Sequence, residues 1–182
     1  MRLVLQFGRA LSFVLISSLV FGVAACAGSS PDALGAQDAS HPLIVNPSPS
    51  FQLDSVNGMG KVSMAAFSGK VVIVDFWATW CEPCKKSFPK LQDLHARYKA
   101  SGLSVVGLSE DDDKGGIKEF ANSLGADFPL VWDSDKAIAG KWQPGSMPAT
   151  FIVDRKGLVR FMHRGYHDGE ELEIEKEVKS LL

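Results

Sequence analysis

The chain has 182 residues, of which 46% are hydrophobic, and a formal net charge of −2. These values suit one globular domain with some extra sequence at one end. Three cysteines are too few for a small scaffold held together by disulfides, and the weak negative charge excludes the basic surface of a nucleic-acid-binding protein. The longest charge run, Glu110 to Asp113, is expected to be a solvated loop, since it lacks the spaced ligands and turn glycine of a calcium loop.

The first 25 residues have the pattern of an export signal. Arg2 and Arg9 form a short positive region, and an apolar stretch follows it. The stretch ends in Val-Ala-Ala-Cys at residues 23–26, which resembles the bacterial lipobox. The resemblance implies cleavage before Cys26 and lipidation of its thiol. The alternative is an uncleaved anchor helix, for which the stretch is marginal because a span needs about 20 apolar residues. Both alternatives place the folded part outside the cytoplasm.

Residues 26–50 are small, polar and proline-bearing. Such a composition buries little apolar surface, so this segment is predicted to be a flexible tether. The predicted organisation is therefore a lipoprotein signal peptide at 1–25, a tether at 26–50 and a folded domain at 51–182.

The folded domain begins with a predicted hairpin around Asn57–Gly60. The β-branched and aromatic run from Val71 to Trp77 then indicates a strand that is buried on both faces. The pattern that follows predicts a helix after residue 81 with Pro89 inside it, a strand at 103–108, a helix at 117–124, a strand at 130–132, a helix at 137–142, antiparallel strands at 150–153 and 158–162, and a terminal helix. Strands that alternate with helices predict an α/β domain with a central mixed sheet flanked by helices.

Cys81-Glu82-Pro83-Cys84 follows the buried strand and begins a helix. Two residues between cysteines at a helix start let the sulfur atoms approach bonding distance. The helix N-terminus favours a thiolate, so Cys81 is the predicted nucleophile and Cys84 the resolving thiol. A zinc half-site and an inert structural disulfide are the alternatives. Zinc needs two further ligands, and the four histidines, His41, His95, His163 and His167, are expected to be surface residues.

The stretch from Val74 to Lys86 closely resembles the active-site strand and helix of thioredoxins. Its Cys-Glu-Pro-Cys-Lys-Lys form is most similar to the ResA-type and TlpA-type extracytoplasmic thioredoxins, as are the hairpin from Phe51 and the strand–helix unit from about 103 to 132. The resemblance covers about residues 50–182. It implies a thioredoxin-like fold with an N-terminal hairpin and an inserted strand–helix unit, and a thiol–disulfide oxidoreductase activity that needs no cofactor or metal.

The segment from Ser146 to Phe151 resembles the loop in which a cis-proline of this family faces the cysteine pair. The resemblance implies that Met147 and Pro148 present backbone groups to a substrate chain as a short strand addition, with Trp80 as a further substrate-binding residue. The alternative is a simple turn proline.

Asp75 occupies the place of the buried thioredoxin carboxylate, which implies that it moves protons to and from Cys84. ResA-type proteins often carry a glutamate where this chain has Ser87, and this departure favours the route through Asp75. Glu82 and Pro83 are expected to modulate the redox potential. The negative charge of Glu82 disfavours a nearby thiolate, which favours the disulfide form and a reducing activity.

The predicted function is reduction of disulfides in exported proteins. The family resemblance implies cytochrome c maturation as one possible role, with apocytochrome c as a client and a membrane thiol reductase as the electron donor. A thiol peroxidase of peroxiredoxin type is the main alternative, but such enzymes carry Thr or Ser where this chain has Ala78. A copper-handling protein is a third alternative, although thioredoxin-like copper chaperones space their cysteines by three residues instead of two.

Overall fold

A computed structural model of the protein describes residues 38–182. The predicted export signal and the lipidation site at Cys26 lie outside the described residues. Within them, no helix has both the length and the apolar character needed to cross a membrane. In chain order the elements are β1 (Gln52–Asp54), β2 (Lys61–Ser63), β3 (Val71–Trp77), α1 (Glu82–Tyr98), β4 (Leu103–Ser109), α2 (Ile117–Ser123), β5 (Leu130–Trp132), α3 (Ala137–Trp142), β6 (Ala149–Val153), β7 (Val159–Arg164) and α4 (Glu170–Leu181), with short 3₁₀ turns at Met64–Phe67 and Lys99–Ser101.

The central sheet has five strands in the order β5-β4-β3-β6-β7. The central strand β3 pairs in parallel with β4 and antiparallel with β6. The outer pairs continue this pattern, since β4 and β5 are parallel whereas β6 and β7 are antiparallel. A separate antiparallel hairpin is formed by β1 and β2. The predicted mixed-sheet α/β fold with an N-terminal hairpin is confirmed.

The strand β3 lies between two hydrophobic cores, and all seven of its residues are buried. Successive side chains of a strand point to opposite faces of the sheet. Ile73 and Trp77 therefore pack in one core with residues of α1 and α4, while Val74 and Phe76 pack in the other with Trp142 of α3. Burial on both faces explains why the sequence of β3 is continuously apolar except at Asp75.

Residues 38–50 differ from the predicted tether, because they lie along the edge strand β7. The amide of Asp38 donates to the carbonyl of Met162 (2.6 Å), and the amide of Val45 donates to the carbonyl of Val159 (2.8 Å). Composition does not reveal such backbone pairing, which depends on an unpaired strand edge being available. The ordered part thus begins no later than residue 38, ahead of the predicted boundary at 51.

Candidate active site

The cysteine pair lies where β3 leads into α1. Cys81 is the N-cap residue of α1, and Pro83 occupies its first turn, where a missing amide hydrogen costs no intrahelical bond. The amide of Cys84 donates to the carbonyl of Cys81 (3.1 Å). The two Cα atoms are 5.3 Å apart, and the sulfur atoms form a disulfide bond. The two-residue spacing therefore brings the sulfurs together as the sequence predicts.

The two sulfur-bearing side chains differ in their position on the helix. Cys81 is 3% exposed at the end of α1, whereas Cys84 is fully buried one turn inside. The 17-residue helix directs its unpaired amide groups and partial positive charge toward Cys81. A thiolate at Cys81 is stabilised by this environment, and Cys84 is placed to attack the Cys81 sulfur from within the domain.

The loop that precedes β6 packs against the core that contains the cysteine pair. The peptide bond between Met147 and Pro148 is cis, which confirms the conformation expected from the sequence. Met147 is partly buried against the core that contains both cysteines, and the carbonyl of Pro148 accepts a hydrogen bond from Gly165 (2.7 Å). Trp80, which directly precedes Cys81, is 66% exposed. An exposed aromatic side chain thus directly precedes the disulfide in the chain, and the loop is anchored against the core that contains both cysteines.

Asp75 is fully buried on the face of β3 that also carries Ile73 and Trp77. Those two residues belong to the same core as Cys81 and Cys84. The hydroxyl of Thr150 donates to Asp75 Oδ1 (2.7 Å), while Oδ2 is buried without a partner among the described residues. Burial raises the pKa of Asp75 to about 7, against the opposing effect of the Thr150 hydrogen bond. The carboxyl group can therefore hold or release a proton near neutral pH.

The acidic segment from Glu110 to Asp113 was expected to be solvated throughout, and this is wrong for its first half. The Asp111 carboxylate is buried, and it accepts hydrogen bonds from the amide (3.1 Å) and the hydroxyl (2.7 Å) of Thr79. Since Thr79 lies two residues before Cys81, Asp111 holds the segment that leads into the disulfide. The only signal for this contact in the sequence was the pair of buried strands, whose parallel ends meet at one edge of the sheet.

Glu110 lies in an open pocket beside the cis-proline loop. The pocket has a volume of about 390 Å³, and its walls are formed by Glu110, Lys136 and residues 144–147. Burial and the nearby charge of Asp133 raise the pKa of Glu110 to about 7. The ammonium group of Lys136 donates to the backbone carbonyls of Glu110 (2.6 Å) and Asp111 (2.9 Å). A titratable acid that the sequence analysis did not single out therefore lies beside Met147.

Glu82 projects into solvent between the two cysteines. Its Oε2 atom lies 2.6 Å from Nζ of Lys85, and its side chain is 75% exposed. The nearby cation and the solvent both screen the negative charge of Glu82. The charge argument for a reducing activity is therefore weaker than the sequence alone suggested. Ser87, in the place of the glutamate seen in ResA-type proteins, donates to the carbonyl of Cys84 (3.2 Å).

The expectation that all four histidines are surface residues is wrong for His41 and His163, which are both buried. His41 packs edge-on against Phe151. The two ring nitrogens of His163 face Glu177 (2.7 Å) and Glu170 (3.4 Å). His163 is thus directed at two carboxylates instead of the cysteine pair, and it does not complete the zinc half-site considered from the sequence.

Comparison with known proteins agrees with this geometry. The model of the AhpC/TSA family matches residues 44–162. The thiol–disulfide oxidoreductase ResA of Bacillus thuringiensis is 33% identical over 125 residues, which cover 69% of this chain and 72% of the relative. The ResA protein of Bacillus subtilis is 33% identical over 111 residues, which cover 61% of this chain and 62% of the relative. The chain belongs to the AhpC/TSA family, as a ResA-like thiol–disulfide oxidoreductase.

Solved structures support the same assignment. A Chlorobium tepidum protein assigned as the thiol:disulfide interchange protein DsbE superposes with a TM-score of 0.71 at 31% identity, covering 74% of this chain and 94% of its own. A second thiol:disulfide interchange protein from Chlorobium tepidum superposes with a TM-score of 0.66 at 25% identity, covering 74% and 94% of the two chains.

The thiol-peroxidase alternative is less well supported than disulfide exchange. The relatives above carry oxidoreductase names, and Ala78 stands where peroxiredoxins have a hydroxyl-bearing residue. The disulfide between two cysteines one helical turn apart is the oxidised state of a dithiol exchange couple. The protein is therefore an oxidoreductase whose chemistry is thiol–disulfide exchange.

Proposed function

We propose that this oxidoreductase reduces disulfide bonds in exported proteins, with Cys81 as the nucleophile and Cys84 as the resolving thiol. The observation that carries the proposal is the placement of the pair. Cys81 lies at the N-cap of α1 and retains 3% exposure, whereas Cys84 lies one turn inside the helix and is fully buried. A large client can reach the first sulfur, and the second remains shielded until a mixed disulfide has formed.

The reaction proceeds in two exchanges that together move two electrons and two protons to the client. In the reduced protein the Cys81 thiolate attacks one sulfur of the client disulfide, and the other client sulfur leaves as a thiolate and takes up a proton. Cys84 then loses its proton to the Asp75 carboxylate, and its thiolate attacks the Cys81 sulfur. The second client sulfur leaves and is protonated, and the Cys81–Cys84 disulfide is formed.

Asp75 is proposed as the proton carrier because it is fully buried on the face of β3 that packs in the core with both cysteines. Its Oδ2 atom has no hydrogen-bond partner in the described part of the chain. A base works best when its pKa lies near the working pH, and burial raises the pKa of Asp75 to about 7. Asp75 can therefore accept the Cys84 proton and then release it.

The client is proposed to bind along the cis-proline loop. The backbone of Met147 takes part in none of the hydrogen bonds between described residues, so it can pair with an extended client segment as a short strand addition. Trp80 supplies an exposed apolar surface on the other side of Cys81. The pocket formed by Glu110, Lys136 and residues 144–147 can receive a client side chain beside the cis-proline loop.

The location outside the cytoplasm is proposed from the sequence pattern of residues 1–26. A lipidated Cys26 would hold the protein at a membrane, since each buried methylene contributes about 0.8 kcal/mol. An inhibitor of lipoprotein signal peptidase should raise the apparent mass of the protein, and an unchanged mass would contradict the lipid anchor. Apocytochrome c as a client and a membrane thiol reductase as the electron donor remain predictions from the family resemblance.

Trapping the mixed disulfide tests the proposed function. Cys84→Ser leaves Cys81 without its resolving partner, so clients should accumulate in a covalent complex that a thiol reductant releases. The matched variant Cys81→Ser should trap little, because the remaining thiol is fully buried. Equal trapping by both variants would refute the assigned roles. Peroxide consumption faster than insulin reduction by the unmodified protein would favour the peroxidase alternative.

A further inference from the structure

A row of polar side chains crosses three neighbouring strands behind the cysteine pair. Asp75 of β3 is paired with Thr150 of β6, and Thr150 is paired with His163 of β7. Residues directly opposite each other in antiparallel strands project to the same face, with Cβ atoms about 4.5–5.5 Å apart. Asp75, Thr150 and His163 therefore lie side by side behind the cysteine pair, and of these only Asp75 was predicted from the sequence to belong to the site.

The helix α4 contributes two buried carboxylates, which approach His163 at one end of this row. Glu170 is 1% exposed and Glu177 is 8% exposed. They lie seven residues apart, which is about two helical turns and places them on one face of the helix. The Nε2 atom of His163 is 2.7 Å from Glu177 Oε2, and its Nδ1 atom is 3.4 Å from Glu170 Oε1. The imidazole therefore lies between the two acids.

One cationic group, the His163 imidazolium, faces two carboxylates, those of Glu170 and Glu177. Burial by itself lowers the pKa of His163, but the adjacent carboxylates of Glu170 and Glu177 raise it to about 9. One imidazolium between two carboxylates leaves a net negative charge in the core. Buried carboxylates are tolerated when such a counter-charge is present, and His163 is the cationic group that the buried Glu170 and Glu177 side chains face.

Glu170 is also the charged group that acts on Asp75. Its negative charge adds to the effect of burial in raising the pKa of Asp75. The neighbouring acid Glu171 is held by Lys90 of α1 (3.3 Å) and by the Tyr166 hydroxyl (3.0 Å). The groups that face the row are thus Thr150 from β6 and the two buried acids from α4, with Cys84 of α1 in the adjoining core.

We propose that Glu170, held in place by His163, is a positioning residue of the dithiol site, and that its buried negative charge adds to the effect of burial and raises the pH at which Asp75 exchanges a proton with Cys84. The inference rests on the proposed role of Asp75 as proton carrier. Without the Glu170 charge, Asp75 becomes a weaker base that ionises at lower pH. Removal of the Cys84 proton then slows at neutral pH, although both cysteines and Asp75 are unchanged.

A carboxyl titration tests the electrostatic part of this proposal. The oxidised full-length protein is labelled with carbon-13 in its carboxyl groups, and the Asp75 resonance is identified by its loss in Asp75→Asn. Glu170→Gln keeps the side-chain shape and an oxygen for His163. It should lower the titration midpoint of Asp75 by roughly one pH unit, the order of effect expected when one nearby buried charge is removed. Glu173→Gln removes the same charge from an exposed position of α4 and should leave the midpoint unchanged.

A kinetic profile tests the catalytic part. The release of reduced client from the mixed disulfide at Cys81 is followed from pH 5 to 9 for the unmodified protein, Glu170→Gln, Glu173→Gln and Glu170→Asp. The inflection should move to lower pH in Glu170→Gln alone, in step with the Asp75 midpoint, and Glu170→Asp should restore it because the charge is kept. A loss of packing would not be rescued in this charge-dependent way.

The outcomes separate the two proposals. If Asp75→Asn abolishes the inflection but Glu170→Gln moves neither the inflection nor the Asp75 midpoint, the inference is refuted and the role of Asp75 stands. If Asp75→Asn leaves the inflection in place, the role of Asp75 fails and the inference fails with it. Should Glu170→Gln not fold, Glu170→Leu decides, because it removes the charge and fills the buried space with an apolar side chain: an Asp75 midpoint about one unit lower supports the inference, and an unchanged midpoint refutes it.

Discussion

Replacement of Asp75 by Asn should stabilise the folded protein at neutral and alkaline pH, and it should have little effect on stability at acidic pH. The carboxyl group is fully buried, and burial raises its pKa from 3.8 to about 7. Between these values the folded state binds a proton that the unfolded state has lost, so the stability contributed by Asp75 is complete below pH 3.8 and lost as the pH rises through 7. At 1.36 kcal/mol per pH unit, the loss is about 4 kcal/mol.

Asn removes this pH-dependent cost while keeping an oxygen to accept the Thr150 hydroxyl. Urea unfolding of the oxidised protein, in which the cysteines do not titrate, should show Asp75→Asn to be more stable by up to about 4 kcal/mol at pH 8.5. At pH 4 the two proteins should be equally stable within about 0.5 kcal/mol. A difference that does not change between pH 4 and 8.5 would refute a buried, neutral-titrating carboxyl group at this position.

Three further predictions concern neighbours of the site. Thr150→Val removes a hydrogen bond that favours ionised Asp75, so the Asp75 midpoint in a carboxyl titration should rise by roughly one pH unit; a fall would contradict the assignment. Because the pKa of His163 is raised from 6.5 to about 9, its stabilising effect is present below pH 6.5 and lost as the pH rises through 9. The unfolding free energy should thus fall by about 3 kcal/mol more from pH 6.5 to 10 in the unmodified protein than in His163→Gln, and parallel curves would exclude a buried imidazolium. Asp111→Ala leaves the Thr79 amide and hydroxyl without their acceptor and should cost about 1–3 kcal/mol in urea unfolding, whereas the exposed Asp112→Ala should not; equal effects would show that Asp111 is not a structural acceptor.

Much of the fold was predictable because its signals are local. The apolar run of β3, continuous except at Asp75, is recognisable within a few residues of the chain. The cysteine pair is equally local, since its geometry depends on two intervening residues and a helix start. The cis bond at Met147 was predicted from a family resemblance instead of from physical chemistry, and the structure confirms it.

The errors have a common cause, which is that the missed contacts join distant parts of the chain. His163 of β7 faces the carboxylates of Glu170 and Glu177, which lie 7 and 14 positions further on in helix α4. Asp111 accepts hydrogen bonds from Thr79, which lies 32 residues earlier in the chain. Residues 38–50 were expected to be a tether because their composition is polar and proline-bearing, yet they pair with β7. Composition describes how much surface a segment can bury, and it carries no information about a free strand edge elsewhere.

The sequence by itself determined that this chain forms an α/β domain with a redox-active dithiol at the start of a helix, because strand patterning and cysteine spacing are properties of short segments. Only the tertiary structure decided the surroundings that control the dithiol. The pKa of Asp75 depends on its burial between two strands and on Glu170, which comes from the last helix. The Glu110 pocket depends on loops brought together at one edge of the sheet. Desolvation and charge act through space, and the positions at which they act exist only once the chain has folded.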